Sequence, residues 1–126
     1  LISLHVPMTL QTKNMIRSEQ LLMMKPDAMI INTSRGGIIN EHDLAEVLGT
    51  GHLSGTAIDV FDQEPYNGAL AQIDRCLLTS HMGSMAIDCR TRMEIEATEE
   101  VVRFFTGKSL QGLVPREEYE VQKQGL

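Results

Sequence analysis

Four residues whose side chains carry a charge or exchange a proton follow successive apolar stretches of this sequence. Arg35 follows the run Ala-Met-Ile-Ile, Asp59 and Glu64 follow a second run, and His81 follows a third. A guanidinium binds a carboxylate through two parallel hydrogen bonds. A histidine exchanges a proton near neutral pH, and a neighbouring carboxylate fixes its tautomer. Brought together, these groups could anchor an organic acid and transfer a proton to or from it.

The elements that must position these residues alternate between strand and helix, which predicts an α/β fold with a parallel sheet. The predicted strands are Leu1–His5, Ala28–Thr33, Leu53–Val60 and Leu77–Thr79. The predicted helices are Glu19–Lys25 with Ser18 as its cap, Glu41–Gly49 with Asn40 as its cap, and a long helix from Ser84 to Phe105 that Gly107 ends. Strands that are apolar throughout need helices on both faces of the sheet. Ligands of such sheets bind beyond the carboxyl ends of the strands, where the four residues are expected to meet.

Four stretches carry a resemblance to a known family. They read LHVPMTLQTKNMI, MKPDAMIINTSRGGIINEHDLAEVL, AIDVFDQEP and LLTSHMGS. They resemble, in order and spacing, the signatures of the D-isomer-specific 2-hydroxyacid dehydrogenases, and most of all its phosphoglycerate-dehydrogenase-like members. The resemblance covers residues 1 to about 107. It implies the C-terminal half of a doubly wound, Rossmann-type parallel sheet with flanking helices.

The resemblance also implies a role for each site residue. Arg35 matches the arginine that holds the substrate's carboxylate and keto oxygen, His81 matches the general acid and base, and Glu64 matches the carboxylate paired with that histidine. The implied cofactor is NAD, with NADP left open, and Asp59 matches the residue that faces the nicotinamide carboxamide. The other expected cofactor contacts, largely through backbone groups, are Val6, Thr33, Ser34, Arg35, His81, Met82, Gly83 and Ser84.

The implied function is the NAD-dependent interconversion of a D-2-hydroxy acid and a 2-oxo acid. Two alternatives remain open: a glyoxylate or hydroxypyruvate reductase, and a non-catalytic, NAD-sensing scaffold of the corepressor type. The pairing of His81 with Glu64 favours an enzyme, because a scaffold has no use for a proton-transfer pair.

Composition and missing motifs restrict the other possibilities. The net charge of −6 and the scattered basic residues argue against a nucleic-acid partner, and no apolar stretch is long enough for a membrane span. Two cysteines without a C-x-x-C pattern predict no metal site. We therefore expect a cytoplasmic protein, and the family resemblance adds a homodimer.

No G-x-G-x-x-G motif occurs in the sequence, although such a turn holds the dinucleotide's pyrophosphate. We therefore expect residues 1–107 to be the C-terminal part of an NAD-binding domain. Residues 108–126 are expected to be a tail or a crossover to a substrate domain. On this interpretation the chain is a fragment that is inactive by itself.

Overall fold

The computed structural model describes residues 1–116, which form a four-stranded parallel sheet with the strand order β1-β2-β3-β4. Its elements are β1 (Ile2–Leu4), α1 (Ser18–Met23), β2 (Met29–Asn32), α2 (Glu41–Thr50), β3 (Gly55–Ile58), a 3-10 helix (Ala69–Gln72), β4 (Cys76–Leu78) and α3 (Ile87–Phe105). The predicted parallel α/β fold is confirmed, with the first three strands shorter than predicted, the fourth shifted by one residue, and a 3-10 helix that was not predicted. Residues 117–126, part of the predicted tail or crossover, lie outside the described residues.

The hydrophobic core lies on one face of the sheet. Neighbouring strands pair so that Leu4, Asn32 and Ile58 lie side by side, and all three are buried. The helices α1, α2 and the 3-10 helix pack together over this face. Their buried side chains are Leu21, Leu44, Val47, Leu48 and Leu70. Right-handed connections between strands that follow in order place successive helices on the same face, which explains this arrangement.

Helices on both faces were predicted, and the structure of residues 1–116 differs on this point. The alternate row of the sheet contains Ser3, Ile31, Ala57 and Leu77, and Leu77 is 66% exposed. The long helix predicted from Ser84 to Phe105 begins at Ile87 as α3, and none of its residues is buried. The apolar runs therefore reflect a second face that residues 1–116 leave uncovered. No helix among these residues is long and apolar enough to cross a membrane.

Helix capping is predicted correctly in one helix and wrongly in another. The side chain of Asn40 accepts a hydrogen bond from the backbone N–H of Asp43 at 3.0 Å, so Asn40 is the N-cap of α2 as predicted. Ser18, predicted to cap the first helix, lies within it, and Arg17 is the N-cap. The backbone N–H of Ser18 instead donates to the carboxylate of Asp43 at 3.0 Å. A contact between two helices thus replaces the expected local cap.

Candidate active site

The turn that follows β2 carries Arg35. Asn32, the last residue of that strand, binds the turn through its side-chain amide, and the Arg35 side chain itself is exposed. Its Nη1 donates to the backbone carbonyl of Ser34 at 2.7 Å. The next position, 36, requires glycine, because a Cβ there would lie 1.9 Å from the carbonyl oxygen of Phe61. The close approach of the backbone at Gly36 to that at Phe61 therefore fixes the turn from which the Arg35 side chain extends.

Glu64 and His81 form a pair at the same edge of the sheet. His81 Nδ1 lies 3.1 Å from Glu64 Oε2, and the two side chains are 52% and 39% exposed. The other carboxylate oxygen of Glu64 accepts the backbone N–H of Phe61 at 3.0 Å. The Phe61 N–H, and after it the hydrogen bond to His81, hold the pKa of Glu64 below its ordinary value. An ionised Glu64 thus engages Nδ1 and orients the imidazole, which leaves Nε2 available for a substrate.

Asp59 holds the loop on which His81 lies. Its carboxylate accepts the Thr79 hydroxyl at 2.5 Å and the Met82 N–H at 2.9 Å, while its backbone carbonyl accepts the His81 N–H at 2.8 Å. The residue is 8% exposed. Burial raises the pKa of this carboxyl, but the hydrogen bonds from Thr79 and Met82 outweigh burial, so the pKa lies below its ordinary value.

The backbone of His81 is in the left-handed region, with φ of 53°. Residues with a Cβ adopt this conformation uncommonly, and contacts with the surrounding structure stabilise it. The contacts of Asp59 to Thr79, His81 and Met82 supply that stabilisation on both sides of the histidine. The loop after β4 is therefore fixed from the end of β3.

The predicted site residues are brought together in two groups. Glu64, His81 and Asp59 are connected by contacts, whereas Arg35 lies on the neighbouring turn, which contacts the 61–62 segment through Gly36. The remaining predicted cofactor contacts lie in the loops that follow the strands. These residues are Val6 after β1, Thr33 and Ser34 after β2, and Met82, Gly83 and Ser84 after β4.

Two residues of the site were missed from the sequence: Asn32, which binds the arginine turn, and Thr79, which binds Asp59. Both end an apolar run with a polar side chain. This change of polarity at the end of an apolar run was the available signal.

The exposed groups at this edge of the sheet fit the nicotinamide end of a dinucleotide. Thr33, His81 and Met82 are exposed, and a Cβ added to Gly83 would meet no atom within 4 Å. The backbone there is open to a flat ligand. An open cavity of about 500 Å³ adjoins the pair on the Glu64 side, with Thr79, Phe61 and Leu78 in its wall.

Comparison with known proteins identifies the family of the chain. Residues 1–83 match the family described as D-isomer specific 2-hydroxyacid dehydrogenase, NAD binding domain. The chain belongs to this family. The match covers β1 to β4 together with the loop that carries His81, so the resemblance seen in the sequence is confirmed.

Several members of the 2-hydroxyacid dehydrogenase family are similar to the chain. A glyoxylate reductase from Thermococcus litoralis is 37% identical over 117 residues, which are 92% of this chain and 35% of that protein. A D-3-phosphoglycerate dehydrogenase from Synechocystis is 40% identical over 101 residues, which are 79% of this chain and 18% of that protein. The crystal structure of a glyoxylate reductase from Paecilomyes thermophila superposes with a TM-score of 0.85 at 28% identity and covers 91% of this chain and 35% of that one. The chain thus spans about a third of the length of the glyoxylate reductases that it matches.

Proposed function

We propose that the protein containing this chain is an NAD-dependent oxidoreductase that interconverts a D-2-hydroxy acid and a 2-oxo acid. The observation that carries the proposal is the 3.1 Å pairing of His81 with Glu64 at the sheet edge that also carries Arg35. This arrangement supplies a proton donor and an anion anchor beside an open backbone surface. The family's description as an NAD-binding domain supports the cofactor.

The proton chemistry follows from the orientation of His81. Its Nδ1 is engaged by Glu64, so Nε2 is the nitrogen that would face the substrate. In reduction, Nε2 gives its proton to the carbonyl oxygen as that oxygen becomes a hydroxyl, and in oxidation it removes the proton. Glu64 stabilises the imidazolium by its negative charge. A bound nicotinamide supplies or accepts the hydride.

Arg35 is proposed to bind the substrate's carboxylate. Its fork of donors matches a carboxylate in two parallel hydrogen bonds, and its exposed position leaves it free to do so. Among the residues that directly follow the four strands, Arg35 is the one lysine or arginine. A phosphorylated acid would need a further cation from elsewhere in the protein. The test panel therefore includes both glyoxylate and a phosphorylated 2-oxo acid, in line with the names of the similar proteins.

The proposal is tested by measuring NADH oxidation by the full-length protein encoded by the gene. The panel is glyoxylate, hydroxypyruvate and 3-phosphohydroxypyruvate. We expect turnover with at least one acid, and we expect Arg35→Gln to raise its KM by about a hundredfold, since a bidentate charged contact is lost. Arg90→Gln, an exposed arginine on α3, is the control and should leave KM unchanged. Turnover that Arg35→Gln leaves intact would contradict the anchoring role.

A non-catalytic scaffold is the alternative outcome of the same assay. NADH binding without turnover of any acid in the panel would support a protein that senses the dinucleotide. The paired His81 and Glu64 argue against this outcome, because a scaffold does not need an oriented imidazole.

We also propose that the protein is a cytoplasmic homodimer. The uncovered face of the sheet and the exposed apolar side chains of α3, among them Ile87, Val102 and Phe105, support an association. Large exposed apolar surfaces on soluble proteins mark sites of contact with other chains or segments. Sedimentation equilibrium of the full-length protein measures this directly.

A further inference from the structure

Asn32 is a buried amide in a position where an apolar side chain would be expected. It is 2% exposed and lies at the end of β2, in register between Leu4 of β1 and Ile58 of β3. Burying an amide costs free energy unless its donors and acceptor are satisfied. The residue therefore needs partners, and the location of these partners indicates what it does.

All the hydrogen bonds of the Asn32 side chain go to the turn that carries Arg35. Its Nδ2 donates to the backbone carbonyl of Arg35 at 2.9 Å. Its Oδ1 accepts the backbone N–H of Ser34 at 3.1 Å and the Ser34 hydroxyl at 2.8 Å. One buried side chain thus binds the polypeptide immediately before and immediately after the Cα atom of Arg35.

We propose that Asn32 is a positioning residue for Arg35: it fixes the backbone from which the guanidinium extends. The inference rests on the proposed function, in which Arg35 binds the substrate's carboxylate. Asn32 is buried and paired with strands on both sides, so its hydrogen bonds tie the turn to the sheet. A long side chain pivots about its Cα atom, and a small rotation there displaces the guanidinium by a much larger distance. Misplacement of a binding group by about 1 Å can reduce activity on the order of a hundredfold.

The Ser34 hydroxyl belongs to the same set of hydrogen bonds. It donates to Asn32 and so is engaged within the protein. Since the carbonyl of Ser34 accepts Arg35 Nη1 at 2.7 Å, the turn also restrains the guanidinium directly. Asn32, Ser34 and Arg35 therefore form one connected unit that runs from the core to the exposed edge.

The test uses the full-length protein and oxamate, a carboxylate analogue of a 2-oxo acid, titrated in the presence of saturating NADH. We expect Asn32→Ala to raise the Kd of oxamate about tenfold or more, while the Kd of NADH changes less than about twofold. Asn32→Asp keeps the size and the Oδ1 acceptor but places an oxygen against the Arg35 carbonyl in place of the donor, so we expect the Kd of oxamate to rise here too. Thr56→Val is the matched control, because Thr56 is an equally buried polar residue on the same face whose hydroxyl binds Ile30 instead. It should leave the Kd of oxamate unchanged.

A second readout does not depend on activity. Hydrogen exchange of the peptide spanning residues 32–38 should be faster in both Asn32 variants than in the wild type and the Thr56→Val variant, because Ser34 loses its acceptor or the turn loosens. Unchanged exchange would overturn the proposal, as would an oxamate Kd that Asn32→Ala leaves intact while Arg35→Gln raises it. If Arg35→Gln also leaves the Kd of oxamate unchanged, the proposed function fails. Hydrogen exchange of residues 32–38 then decides by itself whether Asn32 fixes the turn.

Discussion

At the residue scale, the site depends on contacts between positions that are far apart in the sequence. Asp59 was expected to face the nicotinamide carboxamide, a role that stays a prediction. In the structure its carboxylate binds Thr79 and Met82, which lie 20 and 23 residues further along the chain. These contacts hold His81 with φ of 53°. Strain in a proton-transfer residue is expected where the surrounding structure fixes its orientation.

We expect the Thr79–Asp59 hydrogen bond to stabilise the wild type over a Thr79→Val variant by an amount that depends on pH. Because the folded pKa of Asp59 is lowered, its stabilising effect is present above the unfolded-state pKa of about 3.9 and is lost as the pH falls through the folded pKa. Thr79→Val should therefore lower the free energy of unfolding by about 1 kcal/mol near neutral pH, and the difference should shrink below about pH 4. Urea titrations of the full-length protein from pH 3 to pH 7 measure this, with Thr79→Ser as the variant that retains the bond. An equal loss at every pH would contradict the assignment.

At the element scale, the turns that follow the strands determine where the candidate catalytic side chains lie. The turn after β2 approaches the segment after β3 so closely that only glycine fits at position 36. The chain continues through Gly37, with φ of 74°, toward α2. This contact keeps Arg35 beside the segment that leads to Glu64.

Replacing Gly36 with alanine should therefore disturb both turns. The added Cβ would lie 1.9 Å from the carbonyl oxygen of Phe61, so the backbone must shift, and we expect a loss of about 3 kcal/mol in the free energy of unfolding. Gly49→Ala is the control: this glycine lies in α2 with no atom within 4 Å of the added Cβ. It should raise stability by about 0.5–1 kcal/mol. Thermal unfolding of the two variants decides, and equal stabilities would contradict the packing described.

The features that the sequence predicted correctly are those that depend on residues close by in the chain. The cap of Asn40 on α2 and the strand-end placement of Arg35 and His81 depend on near neighbours, and the structure has them as predicted. Ser18 is not the cap because the helix already begins at that residue, where its N–H donates to Asp43, 25 residues away. The loop contacts of Asp59 likewise depend on how strands pair, which the sequence pattern does not encode.

At the scale of the whole molecule, the described residues cover only one face of the sheet. The alternate row includes Met29 and Leu77, both exposed, and β1 is an edge strand of the four. The chain spans about a third of the length of the glyoxylate reductases that it matches. Unpaired edges and apolar faces promote association.

The polypeptide of residues 1–126, produced by itself, should therefore self-associate and show no turnover. Sedimentation equilibrium over a range of concentrations measures the association, and Leu77→Lys should weaken it by placing a charge on the uncovered face. The exposed substitution Gln72→Lys on the 3-10 helix adds the same charge away from the uncovered face and is the control. A monomer at high concentration would count against this account, and so would robust NADH oxidation by the isolated polypeptide.

The proposed function requires that His81, oriented by Glu64, transfers the proton to the substrate. The most direct measurement compares wild type and His81→Gln in the full-length protein, with kcat for the preferred 2-oxo acid and the Kd of NADH determined on the same samples. The account predicts that kcat falls by about a hundredfold to ten-thousandfold while the Kd of NADH changes less than about threefold. A kcat that survives the substitution would contradict the role assigned to the 3.1 Å His81–Glu64 pair.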